Sequence, residues 1–182
     1  MYLRHRDFRT LRPHQWFVGE AMKCSLHAYA IKHKILTQIC LMFHYTAGNF
    51  INGNKNNMSN QLQLLPTSDH QSCDGVMSLV NINNNHWNLL VNPMASTDEL
   101  EASINADRRI GEFLSLRQRK HSMTCWKSIS FTGAVMKHPY QQDGYSCGVL
   151  VLMMAEAIME AFPQLPEMDF FTSKEAMADE RR

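Results

Sequence analysis

Charge is scarce along this chain, and no apolar run is long. Asp, Glu, Lys and Arg make up 19% of the 182 residues, and 18 basic side chains nearly cancel 17 acidic ones to leave a net charge of +1. So even a balance demands neither nucleic acid nor an anionic membrane as partner, and none is expected. The longest apolar stretch follows Cys147 and is interrupted by Glu156 and Glu160, too short and too charged to span a bilayer. Met1 to Thr10 is charged and has no apolar centre, so no secretory signal is expected. The five cysteines, at 24, 40, 73, 125 and 147, are odd in number and irregular in spacing. That pattern fits reduced thiols in an intracellular protein, nuclear or cytoplasmic, better than a disulfide framework. Cys24 with His27 and Cys40 with His44 are the nearest approach to a zinc pattern, and four converging ligands are missing. No metal and no cofactor are expected.

What is present is a globular composition, 45% apolar, with neither repeat nor dividing linker. One domain over 1–182 is expected, with a loop-rich insertion at 45–75 where Asn and Gly crowd together. Pro13 suits a helix start, and Trp16, Ala21, Leu26, Ala30 and Ile31 form an apolar face, so a helix is expected over 13–36. Val76 to Ile82 reads as a strand, Asn83 to Asn85 as a turn, and His86 to Val91 as the second strand of a hairpin. Ser96 and Glu99 form a capping box for a helix reaching about Leu116. Its basic end, Arg117 to His121, reads as a solvated helix terminus. A strand is expected within Trp126–Met136, a loop at 137–146, and a helix from Cys147 that is apolar nearly all round and stops at Pro163. A peripheral helix closes the chain at 175–182. The order of elements gives an α+β class.

The chemistry concentrates in Gln141-Gln142-Asp143-Gly144-Tyr145-Ser146-Cys147-Gly148. A turn-prone loop ending in a cysteine, with a helix starting at once, presents a thiol at a positive helix terminus, where the thiolate is favoured. Asn85-His86-Trp87 could supply the base, because imidazole titrates near neutrality. Each residue also has a plainer reading. Cys147 alone would be a buried structural thiol. His86 alone would be a turn histidine, Trp16 and Trp87 would be core, and Asp143-Gly144 is first a turn signal. Gln141 and Gln142 both stand close enough to compete for one role beside the cysteine.

Four blocks together resemble the ubiquitin-like-protein-specific proteases, the SUMO/sentrin-specific cysteine protease family. They are Asp7 to Glu20 with its Trp-led segment, Val76 to Val91 with His-Trp, Ser96 to Leu116, and Pro139 to Glu156 with Gln six positions before Cys-Gly. The resemblance implies a papain-like fold of the ubiquitin-like-protease type, a small mixed sheet around a buried central helix that begins at the nucleophile. It implies Cys147 as nucleophile, His86 as general base and Gln141, selected by family spacing, as donor to the oxyanion. It implies that Trp16 and Trp87 sandwich the Gly-Gly tail of a modifier. The partner would be a ubiquitin-like modifier, SUMO by default, cleaved after Gly-Gly by a monomeric enzyme.

Two departures stand beside the resemblance. The family's third catalytic residue, an acid well beyond the histidine, has no counterpart at its usual distance, where Ser103 and Ile104 lie. The segment from Asn92 to Ser96 resembles the acid-bearing stretch but arrives early, as if a strand and its turn were missing by deletion or splicing. Asn92 is the candidate for the third role, since asparagine can orient a catalytic histidine. An unbroken strand, however, would carry it roughly 20 Å from His86 at ~3.3 Å per residue. Asp98 has only a few residues for a return path. Gly19 stands where the family has an aspartate that touches the modifier, so a NEDD8-like or other modifier stays open. The alternative reading is therefore a pseudo-protease that binds a modifier without efficient turnover, and a third is a truncated, nonfunctional product.

Overall fold

The computed structural model describes residues 3–45, 47, 74–82, 85–93 and 137–180. The expected helix at 96–116, the strand within 126–136 and most of the 45–75 insertion lie outside them. The chain forms two compact units interleaved in sequence. One takes residues 1–36, 79–90 and 137–182; the other takes 37–78 and 91–136. The described elements are α1 (His5–Phe8), α2 (Gly19–Lys32), β1 (Ile39–Met42), β2 (Gly75–Ile82), β3 (His86–Pro93), α3 (Cys147–Ala161) and α4 (Lys174–Asp179). The α+β class is as expected.

The opening helix is shorter than the sequence implies, and the reason is local. Pro13 initiates a turn rather than a helix: the Gln15 N–H donates to the Arg12 carbonyl at 3.3 Å, and His14 adopts φ 63°. Proline followed by a positive φ is the pattern of a type II turn. Residues 15–18 then belong to neither helix nor strand, and Val18 is extended. Phe17 points inward at 7% exposure, and Trp16 points outward at 46%. Helix α2 begins only at Gly19, with extended Val18 before it. It ends in a Schellman motif, with Ile35 N–H donating to Ala30 O at 3.0 Å and Lys34 N–H to Ile31 O at 3.1 Å. Lys34 takes the left-handed φ of 56° that this ending requires.

Helix α3 is the centre of the first unit. Ten of its fifteen residues are buried, from Cys147 through Met159. That matches an apolar run with no polar face. Helix α2 packs on it and buries Ala21, Met22, Leu26 and Ala30. Glu156, one of its few charges, takes an ion pair from Lys32 Nζ at 2.5 Å. In the second unit β1 runs parallel to β2, with Ile39 opposite Gly75 and Met42 opposite Ser78. The buried Ser78 hydroxyl donates to the Met42 carbonyl at 3.0 Å. The apolar run Ile39 to Phe43 carried the signal for β1, but it was too short to separate strand from helix by periodicity. The sheet order is β1-β2-β3. The hairpin of β2 and β3 is as read from the sequence, closed by Asn85 N–H to Ile82 O at 3.1 Å.

Candidate active site

The loop before α3 is built around one carboxylate. Asp143 Oδ1 accepts from the N–H of Tyr145 at 2.9 Å and of Ser146 at 2.7 Å. Its Oδ2 accepts from the Ser146 hydroxyl at 2.7 Å. Aspartate folds its own downstream backbone in this way, which makes the turn. Burial works against the charge on Asp143. The hydrogen bonds from the Ser146 hydroxyl, the Tyr145 and Ser146 N–H groups and Gln141 outweigh it and hold the carboxyl below its usual range. The turn delivers Ser146, fully buried, as the residue before the helix, and Cys147 as its first residue.

Cys147 is buried at 4% exposure. The sequence reading had the loop exposing the thiol, and the structure corrects this. The cause lies one residue on. A Cβ added at Gly148 would stand 3.1 Å from Phe17 Cβ and 3.2 Å from Met22 Sδ. Glycine at 148 thus lets the opening segment close onto the start of α3. His14 adds an edge-on ring contact with Tyr145 at 4.8 Å.

Phe17 also reaches the other half of the site. The Trp87 indole N–H donates to the Phe17 carbonyl at 3.0 Å, in a buried position. Trp87 is 3% exposed, so it is a core residue with a satisfied polar handle. The residue after His86 and the residue after Cys147 therefore both lie against Phe17. His86 itself opens β3 and is exposed. Among the described residues none hydrogen-bonds its ring.

Gln141 is half-buried, and its amide nitrogen donates to Asp143, to the main-chain oxygen at 2.5 Å and to Oδ1 at 3.1 Å. Gln142 is exposed and donates instead to Thr172 Oγ1 at 3.1 Å. Asn92 does not meet the condition set for it. Strand β3 continues without a break from His86 to Pro93, so strand rise keeps the Asn92 backbone roughly 20 Å along from His86. Trp16 is the exposed member of the tryptophan pair, on the segment before α2 rather than on a helix. Sequence reasoning missed Phe17, and it read Asp143 as a turn residue without its bond to Gln141. An Asp three residues before a helix-preceding Ser was the legible sign of that turn; Phe17 carried none.

No protein-family model matches the chain, and no curated protein does. Solved structures do match. The C-terminal Ulp1 protease domain from yeast, in complex with Smt3, the yeast ortholog of SUMO, superposes with a TM-score of 0.65 at 17% identity, over 97% of this chain and 77% of that one. The fold is that of the Ulp1-type SUMO protease catalytic domains. The Ulp1-like SUMO protease domain of Chaetomium thermophilum gives 0.65 at 12% identity, over 98% of this chain and 75% of its own. The Xanthomonas campestris effector XopD, bound to ubiquitin, gives 0.54 at 18%, over 91% and 89%.

Proposed function

We propose that this chain is a thiol protease that cleaves the peptide or isopeptide bond after the C-terminal Gly-Gly of a ubiquitin-like modifier. One observation carries the reading. The segments bearing Cys147 and His86 are both anchored on Phe17, one through Gly148 and the other through the Trp87 indole. The fold shared with SUMO proteases supports it.

In this reading the imidazole of His86 takes the Cys147 proton, and the sulfur attacks the carbonyl carbon of the terminal glycine. The oxyanion gathers hydrogen bonds from the Gln141 amide and the Cys147 N–H. The tetrahedral adduct expels the amine, which takes the proton from the imidazolium. Water then hydrolyses the thioester, releasing the modifier and restoring the thiol. Trp16 would flank the glycines as the accessible wall, while the buried Trp87 holds its segment through the Phe17 carbonyl. SUMO is the first modifier to test, the enzyme acts as a monomeric catalytic domain, and the compartment is nuclear or cytoplasmic.

A modifier carrying a C-terminal Gly-Gly vinyl sulfone should label the wild-type chain and fail on Cys147→Ser. Absence of labelling with SUMO, NEDD8 and ubiquitin probes alike would overturn the reading. A second reading has its own observation, the unbroken β3 that holds Asn92 away from His86. A Cys–His pair with no third residue leaves the imidazole tautomer unset, and the chain would then bind a modifier with little turnover. Binding without cleavage would select that reading.

A further inference from the structure

The geometry points to Asp143 as a positioning residue for the oxyanion donor. This role rests on the protease reading above and adds a residue to it. Nothing in the chemistry of a Cys–His pair requires a carboxylate in this loop, yet both oxygens of this one are engaged. Oδ1 accepts from the Tyr145 N–H, the Ser146 N–H and the Gln141 amide, at 2.9, 2.7 and 3.1 Å. Oδ2 accepts from the Ser146 hydroxyl at 2.7 Å. The main-chain oxygen of the same residue takes the Gln141 amide again at 2.5 Å.

A primary amide has two N–H groups and a free rotation about its terminal torsion. A lone glutamine would sweep its donors through that rotation, and an oxyanion would meet the right orientation only part of the time. Both acceptors belong to one residue, so a single N–H shared between the Asp143 main-chain oxygen and Oδ1 fixes the amide plane and leaves the second N–H for the oxyanion. The same carboxylate sets the Tyr145–Ser146 backbone, and hence the direction of the N–H of Cys147, which follows immediately. One side chain thereby registers both donors relative to each other. Preorganised donors stabilise developing charge without reorganising during the reaction, which is where their value lies. Gln142, tied to Thr172, plays no part in this arrangement.

The test compares three substitutions, with a SUMO carrying a C-terminal Gly-Gly coumarin amide as substrate. Asp143→Ser keeps a short acceptor for the turn N–H groups but cannot reach the Gln141 amide with its side chain. It should lower kcat roughly tenfold to a hundredfold, with KM within about twofold. Asp143→Asn keeps an Oδ1 acceptor for all three donors and offers Ser146 an N–H, so kcat should recover to within about threefold of wild type. Alkylation of Cys147 by iodoacetamide forms no oxyanion, and its rate should change less than about twofold in either variant. In a Gln141→Ala background, Asp143→Ser should cost less than about twofold more, because the two act as one unit.

Full kcat in Asp143→Ser overturns the proposal. So does an alkylation rate that falls in step with kcat, or a loss that multiplies on the Gln141→Ala background. A wild-type chain that neither turns over nor takes the vinyl sulfone label overturns the protease reading itself, and this role falls with it. Turnover by wild type separates the two failures.

Discussion

Cys147 sits behind a loop whose carboxylate accepts four hydrogen bonds, at the head of a helix buried along most of its length. His86 stands exposed at the first position of a strand, and among the described residues no side chain hydrogen-bonds its ring. The cysteine side is over-determined by local turn chemistry. The histidine side is held one residue away, through Trp87, and the imidazole itself is exposed. The sulfur and the Gln141 amide are thus fixed by the loop, while the imidazole depends on what surrounds the strand.

Substituting the pair itself should produce the largest effects. If the protease reading holds, Cys147→Ala should reduce turnover at least roughly a thousandfold, and His86→Gln should do nearly the same. If the exposed imidazole contributes little, His86→Gln will cost far less than Cys147→Ala in a Gly-Gly amide assay, and the asymmetry becomes functional as well as structural.

Next comes the anchor on the base side. Trp87→Ala removes a buried indole and strips a donor from the Phe17 carbonyl, and should cost about 3–5 kcal/mol by chemical denaturation. A loss under 1 kcal/mol would mean that the strand does not depend on this bond. Gly148→Ala tests the equivalent anchor on the sulfur side. Its new methyl would crowd Phe17 and Met22 at 3.1–3.2 Å, where a side chain and a flexible thioether can yield. The expected cost is about 1–2 kcal/mol, or a Tm lower by several degrees.

Trp16→Ala separates the two tryptophans. An exposed residue should leave stability within about 0.5 kcal/mol, while KM for a Gly-Gly substrate rises. A destabilisation like that of Trp87→Ala would contradict the placement of Trp16 at the surface. The smallest effect is the pH dependence of the loop. The Asp143 carboxyl is held below its ordinary value of 3.8, so its contribution is complete above that value and fades as pH falls through the lower folded value. The stability difference between wild type and Asp143→Asn should therefore be flat from neutrality to about pH 4 and narrow below it. A difference unchanged down to pH 2.5 would assign the bonding to some other group.

Much of this arrangement was legible in the sequence. The apolar run after Cys147 could only be a buried helix, and the Asn-rich break between two strand-forming runs could only be a tight connection. The helix expected from Pro13 did not form because proline suits a turn and a helix N-terminus equally, and the positive φ at His14 that decided the matter is uncommon outside glycine. The burial of Cys147 was not legible either. It depends on Phe17, more than a hundred positions earlier, closing against a glycine, and no local pattern encodes that contact. Asn92 was named on a resemblance of segments, and an uninterrupted strand keeps it out of reach of the histidine.

Phe17 fastens one neighbour with its carbonyl and the other with its ring. Trimming its side chain would loosen the helix while sparing the indole bond. A nick in the backbone on the C-terminal side of Trp16 would leave both fastenings attached to a new, fraying chain end. Limited proteolysis at that accessible tryptophan should therefore silence the molecule while barely changing its mass.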